Sequence, residues 1–143
     1  MRCLSLFLCL AASAFAQIQE HIYIPGERPD LPFSNAVIVG DDIYLAGHIG
    51  LDKTGKPPLT VEDEARAVLE AIKSTLAKND ATMEDLVSVT VYCSDLATYE
   101  AFNSVYRGYF KTGKYPARAF IGSGKLLFGA RFEIQGIAIK RHH

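Results

Sequence analysis

The sequence predicts a single α+β domain in which two helices cover one face of a six-stranded mixed sheet. Segments with a two-residue hydrophobic period and segments with a helical period follow one another in the order β-β-β-α-β-α-β-β. No internal repeat, low-complexity tract or linker interrupts the 143 residues, a length that suits one domain. Because two helices cannot cover both faces of six strands, we expect a homo-oligomer with the uncovered face turned towards neighbouring subunits.

Residues 1–16 have the pattern of a secretory signal peptide. Arg2 precedes an apolar run that is too short to span a bilayer, and small residues in an A-x-A pattern precede Gln17. We therefore predict an exported protein, periplasmic or secreted, with a mature domain at 17–143. The alternative is a buried N-terminal helix of a cytosolic domain. Cleavage would leave Cys93 as the only cysteine, so no internal disulfide could form.

Three strands are predicted before the first helix. Residues 22–24 form a short apolar run that ends at a Pro-Gly pair. Residues 36–39 and 43–46 flank a tight Gly-Asp turn, which indicates a β-hairpin. The glycines in 47–50 predict that the chain leaves the sheet after residue 46.

Two helices with a strand between them follow. The first is predicted to begin at Thr60, with Asp63 completing a variant of the capping box. Its apolar stripe consists of Ala65, Val68, Leu69, Ile72 and Leu76. A half-buried strand is predicted at 87–93. Asp95 is then expected to cap a second helix that continues to Phe110.

The last two strands, 117–121 and 132–140, are apolar at nearly every position, yet each carries one charge, Arg118 and Glu133. A charge on such a strand is costly unless it is paired or lines a cavity. One interpretation is a common pocket, in which Arg118 binds a carboxylate and Glu133 handles a proton or a water molecule. The other is a structural Arg–Glu pair at a strand end or at a boundary between subunits.

The charge balance excludes some functions. The chain has 15 basic and 16 acidic residues, a formal net charge of −1, and loss of Arg2 would leave 14 basic residues and a net charge of −2. No basic face of the kind that binds nucleic acid is predicted. The four histidines lack metal-ligand spacing, so we predict neither a metal site nor a metal cofactor.

Six segments, taken together and in this order, resemble the Rid/YjgF family, also called the endoribonuclease L-PSP family. The resemblance runs from about residue 22 to residue 140, nearly the whole predicted mature chain. The segments are 43–50 (IYLAGHIG), the helix that begins at Thr60, 89–96 (VTVYCSDL), 102–106 (FNSVY), 115–119 (YPARA) and 132–138 (FEIQGIA).

The resemblance implies a chorismate-mutase-like fold that assembles as a homotrimer with three clefts at the subunit interfaces. It also implies hydrolysis of small 2-imino acids to 2-oxo acids and ammonia, with no cofactor. By the same resemblance, Arg118 would bind the substrate carboxylate and Glu133 would position or activate water. Gly47 would lend backbone contacts to the substrate, and Asn103 would lie near the cleft.

Four positions depart from the family's pattern and make the expected cleft more aromatic and less polar. Ala46 stands in place of a serine, Phe33 in place of a tyrosine and Phe120 in place of a cysteine. We expect both phenylalanines in the cleft wall or the core. His48 replaces a glutamine and would relay protons near neutral pH if it faces the cleft. The alternative for His48 is a histidine in a surface loop.

The leading functional interpretation is therefore an exported imine deaminase, a hydrolase that acts on small 2-imino acids. The alternative is a trimeric protein that binds small carboxylates through Arg118 but catalyses no reaction. A third interpretation is a ribonuclease, which the acidic balance disfavours. Neither a nucleic-acid partner nor membrane attachment after signal cleavage is expected.

Overall fold

The computed structural model describes residues 20–26 and 30–141, and its elements follow the predicted order. The predicted signal peptide, 1–16, lies outside these residues. The strands and helices are β1 (His21–Pro25), β2 (Ser34–Val39), β3 (Asp42–Ile49), α1 (Val61–Ala77), β4 (Leu86–Cys93), α2 (Tyr99–Tyr106), β5 (Ala117–Gly122) and β6 (Phe132–Ile139). Neither helix in this part of the chain has the length and apolar character that a membrane span requires.

The six strands form one mixed sheet in the order β1-β2-β3-β6-β4-β5. Neighbouring strands are antiparallel except β4 and β5, which are parallel and are connected through α2. Both helices contribute buried side chains to one core on the same side of the sheet. This is the α+β architecture that the order of periodic segments predicts.

Helix α1 begins and packs as the sequence predicts. The Thr60 side chain accepts a hydrogen bond from the backbone N–H of Asp63 at 3.1 Å, which satisfies one free donor of the first turn. The predicted apolar stripe is buried against the sheet; its residues are Ala65, Val68, Leu69, Ile72 and Leu76. Burial of each larger side chain in this stripe contributes about 1.5–3 kcal/mol.

The first turn of α1 is also fastened to β6 through Glu64, a fully buried carboxylate. One carboxylate oxygen accepts the backbone N–H groups of Arg131 and Phe132 at 2.5 and 3.2 Å, and the other pairs with the Arg131 guanidinium at 2.6 Å. The same guanidinium donates to two backbone carbonyls in the loop before α1. A buried charge is tolerated when it is paired and hydrogen-bonded in this way. The contact fixes the start of the strand that carries Glu133.

The prediction that the chain leaves the sheet after residue 46 is wrong, because β3 continues to Ile49. Its pairing with β6 shifts between Leu45 and His48, where three steps along β3 match two steps along β6. This one-residue excess is a β-bulge. Glycine is common at a bulge within a strand. Residues 47–50 therefore resemble a loop in sequence, although His48 and Ile49 remain paired with β6.

The second predicted helix is shorter than expected. Asp95 caps a 3₁₀ turn at Leu96–Thr98 and not α2 itself, accepting a backbone hydrogen bond at 3.0 Å. Helix α2 ends at Tyr106, and another 3₁₀ turn at Arg107–Tyr109 follows, so Phe110 lies outside it. Over so few residues the apolar spacing of 3₁₀ and α turns is nearly the same, and the sequence pattern does not separate them.

The other face of the sheet has no helix packed on it in the described part of the chain. A row of side chains crosses this face in register, formed by Tyr23, Val37, Tyr44 and Ile137. Tyr23 is 64% exposed and Tyr44 is 44% exposed, so large apolar groups face outwards. We call this surface the open face. Its existence agrees with the uncovered face expected from the sequence; its coverage by neighbouring subunits stays a prediction.

Candidate functional site

Arg118 lies on β5 and faces the helices. It is in register with Val89, a buried core residue on β4, so the two side chains point to the same side of the sheet. One guanidinium nitrogen, Nη2, donates a hydrogen bond to Oδ1 of Asn103 on α2 at 2.8 Å. Asn103 is buried, and its place beside a substrate cleft stays a prediction. The guanidinium is thus held in place by a side chain of α2.

Aromatic rings surround the same guanidinium. Its central carbon lies 4.5 Å from the ring centre of Tyr106, 5.5 Å from that of Phe120 and 5.9 Å from that of Tyr99. Such contacts are attractive because the negative face of a ring meets the cation. Burial raises the pKa of Tyr106 to about 12, although the charge of Arg118 opposes the rise. The phenol therefore stays neutral at ordinary pH.

This arrangement can bind a carboxylate. A guanidinium has five N–H donors, and Asn103 takes one of them. Among the residues that the structure describes, no carboxylate lies within ion-pair distance of Arg118. The remaining donors and the positive charge suit two-point binding of a small carboxylate, with the orientation fixed in advance by α2.

Glu133 lies on the open face. The residues before and after it on β6, Phe132 and Ile134, are fully buried against the helices, so alternation along the strand turns Glu133 to the other side. A Cβ atom at Gly47 would overlap Oε1 of Glu133, which shows how closely the bulge of β3 approaches the carboxylate. Within the described residues Glu133 has no hydrogen-bond or ion-pair partner, so both its oxygens are available to a water molecule or a proton.

The two charged residues therefore occupy opposite faces of the sheet. Arg118 points towards α2, whereas Glu133 pairs in register with Tyr92 and points away from the helices. Within one chain they do not share a pocket, nor do they form an ion pair. A common site requires that a second subunit bring its open face to the Arg118 edge of the first.

His48 is neither exposed nor directed at Glu133. It is 7% exposed within β3, so the expectation of a surface loop is wrong. Its ring faces α1: Nδ1 lies 2.8 Å from the carbonyl oxygen of Ala46, and Nε2 lies 3.0 Å from the hydroxyl of Thr75. Burial lowers the pKa of this imidazole. The position gives no support to a proton relay beside the carboxylate.

The remaining predicted residues take different places. Phe120 is half-buried and packs edge-on against Phe102 and Tyr99, in agreement with a wall or core position. Phe33 is 55% exposed in the bend before β2, so it does not lie in the core of its own chain, and its place in a cleft wall stays a prediction. Ala46 is half-buried and Gly47 exposed, and together they form the bulge.

The support that α2 gives to Arg118 was not predicted from the sequence. Tyr99, Asn103 and Tyr106 are spaced i, i+4 and i+7, a spacing that places all three on one helix face. That spacing is visible in the sequence, but it fits the apolar stripe of any helix packed on a sheet and does not by itself predict a contact with Arg118. Thr75 was missed as well, because its partner His48 is 27 residues away and no local pattern connects the two.

A groove of about 860 Å³ lies elsewhere, between α1, the end of α2 and Arg141, which follows β6. Neither Arg118 nor Glu133 lines it. Several of its charged groups are already paired, for example Arg141 with Asp85 at 2.6 Å. Over the described ranges, 20–26 and 30–141, no cluster of three or more His, Cys, Asp or Glu side chains is arranged to hold a metal ion.

Comparison with known proteins gives consistent matches. A family model described as Endoribonuclease L-PSP matches residues 26–140. A Dermatophagoides farinae protein named 2-iminobutanoate/2-iminopropanoate deaminase is 32% identical over 114 residues, 78% of this chain and 88% of that protein. The human protein of the same name is 32% identical, covering 76% of this chain and 80% of its own. The crystal structure of the Escherichia coli YjgF gene product superposes with a TM-score of 0.72 at 29% identity, covering 77% and 89% of the two chains.

Proposed function

The chain belongs to the endoribonuclease L-PSP family, also known as the Rid/YjgF family, and on this basis we propose that it is an imine deaminase acting on small 2-imino acids. The observation that carries the proposal is the Arg118 clamp, a guanidinium fixed by Asn103 and aromatic rings with donors left for a carboxylate. Relatives at about this level of identity bear the name of such a deaminase, which supports the reaction class.

The reaction needs only binding and proton transfer. Arg118 would hold the carboxylate, which fixes the neighbouring C=N carbon relative to the protein. Water would add to the C=N carbon of the imine, which is protonated at nitrogen, while Glu133 accepts a proton from that water. The same proton would then pass to the amine nitrogen and the C–N bond would break. As the carbonyl forms, the proton of the hydroxyl group would pass through Glu133 to the departing ammonia, which leaves as ammonium. One water is consumed, and the carboxylate of Glu133 ends as it began.

The proposed site is formed between subunits of a homotrimer. Arg118 and Glu133 lie on opposite faces of one sheet, so joint action requires the Glu133 of a neighbouring subunit to approach Arg118. The exposed apolar row on the open face supports such an assembly, since its association would remove Tyr23 and Tyr44 from water. A monomeric mass in light scattering would contradict this part of the proposal.

We also propose that the protein is exported through residues 1–16 and acts in the periplasm or outside the cell. Arg2, the apolar run and the small residues before Gln17 support this proposal. The intact mass of protein recovered from the producing organism tests it. We expect the mass of a chain that begins at Gln17. The mass of a chain that still contains the apolar run would contradict export by cleavage.

Trapping of imines tests the activity. An amino-acid oxidase generates 2-iminopropanoate and related imines in situ, and semicarbazide traps the imine that has not been hydrolysed. We expect the wild-type protein to slow semicarbazone formation, Arg118→Ala to lose this effect and Glu133→Gln to retain little of it. Arg107→Ala is the matched control, because Arg107 is an exposed arginine just after α2 and should leave the rate unchanged.

The second candidate is a binding protein without turnover, favoured by the apolar wall that Phe120 provides where the family's pattern has a cysteine. In that case neither the wild-type protein nor Arg118→Ala would affect semicarbazone formation. The wild-type protein would nevertheless bind 2-oxobutanoate, and Arg118→Ala would not. The family description also names an endoribonuclease. That activity would appear as RNA cleavage with a steep salt dependence and no response to 2-oxo acids.

A further inference from the structure

The bulge in β3 is the part of the fold that meets Glu133. Between Leu45 and His48 the strand carries one residue more than its partner β6, and the excess directs Gly47 to the open face. The carboxylate of Glu133 occupies the space that a side chain at Gly47 would fill. The path of the backbone at Gly47 therefore determines where the Glu133 carboxylate can lie.

His48 closes this bulge from the opposite face. Its Nδ1 lies 2.8 Å from the carbonyl oxygen of Ala46, two residues earlier. A carbonyl only accepts hydrogen bonds, so Nδ1 carries the proton and donates. Burial lowers the pKa of the ring and favours its neutral form, in which Nε2 has no proton and accepts.

Thr75 and Asn35 complete the network. The Thr75 hydroxyl, 3.0 Å from Nε2, has one proton, and the neutral ring can accept it in competition with the carbonyl of Ala71 at 3.1 Å. Thr75 also accepts a hydrogen bond from the Asn35 amide at 2.9 Å. The network thus joins three segments that are far apart in sequence: the start of β2, the last turn of α1 and the bulge of β3.

We propose that His48, Thr75 and Asn35 are positioning residues, which hold the Gly47 bulge so that Glu133 lies where the reaction needs it. This inference rests on the proposed function, since it concerns the same site. His48 touches neither substrate nor Glu133 in this account and acts only through the backbone of Ala46 and Gly47. This positioning role takes the place of the proton relay that the sequence suggested for His48.

Thr75→Val and Thr75→Ser form a matched pair that tests the proposal. Valine has nearly the shape of threonine but no hydroxyl, whereas serine retains the hydroxyl and loses a methyl group. We expect Thr75→Val to lower kcat about 10-fold with KM changed by less than about 2-fold, because a small misplacement of Glu133 slows the chemical step while Arg118 still binds the carboxylate. Thr75→Ser should stay near the wild-type kcat.

A second pair covers the case in which Thr75→Val does not fold. His48→Gln can still donate to Ala46 and accept from Thr75 through its amide, and His48→Ala can do neither. We expect the glutamine variant to retain most of the wild-type kcat and the alanine variant to lose about as much as Thr75→Val. Equal kcat in the two variants of each pair would overturn the proposal.

Deuterium uptake by the peptide that spans residues 42–50 gives a readout independent of catalysis. Faster uptake in Thr75→Val than in Thr75→Ser is expected, and equal uptake would overturn the network itself. Faster uptake with an unchanged kcat would show a purely structural role and would also overturn the proposal. If wild type hydrolyses no imine, the proposed function fails, and the uptake experiment alone decides whether the network holds the bulge.

Discussion

Arg118 and Glu133 differ in how the chain holds them. Arg118 has its orientation fixed by Asn103 and by the face of Tyr106, whereas Glu133 is limited chiefly by the backbone at Gly47. A rigid cation suits the binding of a carboxylate, and an acid without partners in the described part of its own chain suits proton transfer. The surroundings of the two residues therefore support the roles proposed for them, carboxylate binding by Arg118 and proton transfer by Glu133.

Replacement of Gly47 by alanine tests the close approach to Glu133. The new Cβ would overlap Oε1 of Glu133, so the carboxylate must move, and we expect kcat for imine hydrolysis to fall about 100-fold. Gly108→Ala is the matched control, since a Cβ there meets open space. Steady-state kinetics on the two purified variants provide the measurement, and wild-type kcat in Gly47→Ala would contradict the placement of Glu133.

Replacement of Tyr106 by phenylalanine tests the role of its buried hydroxyl. The buried hydroxyl has no hydrogen-bond partner among the described residues, and an unpaired buried hydroxyl is costly. We expect Tyr106→Phe to raise the free energy of unfolding by about 1 kcal/mol and to leave KM unchanged, because the ring under Arg118 remains. Tyr109→Phe is the control: its hydroxyl donates to Glu70 at 2.8 Å, so no gain is expected. A loss of stability in Tyr106→Phe would contradict this account of the hydroxyl.

At the scale of elements, helix α1 connects the site to the core. Its first turn fixes the start of β6 through Glu64 and Arg131, and its last turn fixes the bulge of β3 through Thr75. Glu133 and Gly47 therefore lie between two attachments of one helix. Thr60 and the apolar stripe of α1 were predictable because capping and helical period are local signals.

The extent of β3 was not predictable in the same way. Glycine at 47 and 50 gives a loop signal, while the pairing of His48 and Ile49 with β6 depends on residues about 85 positions later, at Ile134 and Glu133. The burial of His48 likewise depends on Thr75. The local sequence pattern thus predicted strand β3, but it predicted neither the bulge in this strand nor the direction of the His48 side chain.

The buried imidazole of His48 makes stability depend on pH. Unfolded histidine has a pKa of about 6.5, and burial lowers the pKa in the folded protein. Between these two values the unfolded chain binds a proton that the folded chain does not. The free energy of unfolding should therefore fall as the pH drops below about 6.5, with a slope of up to about 1.4 kcal/mol per pH unit.

Urea denaturation at pH 7.0 and pH 5.5 measures this effect. His48→Gln should lose the part of the pH dependence that the imidazole contributes, whereas His21→Gln, which changes an exposed histidine, should retain it. The same pH dependence in wild type and His48→Gln would contradict the burial of a neutral ring.

At the scale of the whole molecule, one sheet separates the two halves of the proposed site. The helix side carries the Arg118 clamp, and the open face carries Glu133 with an exposed apolar row that includes Tyr23 and Tyr44. An excess of strands over helices predicted the uncovered face from the sequence alone. It did not predict that the two charges would lie on different faces, because that follows from the register of β4 with both β5 and β6.

Mixed oligomers test the central claim, a deaminase site shared between subunits, most directly. Arg118→Ala and Glu133→Gln subunits with different affinity tags would be co-expressed and purified through both tags in turn, and imine hydrolysis measured by semicarbazide trapping. Each variant alone should be nearly inactive. In a mixed homotrimer one of the three sites would combine an intact Arg118 from one subunit with an intact Glu133 from the next, so the doubly purified oligomers should show roughly a third of wild-type activity. Mixed oligomers no more active than either variant alone would contradict the claim.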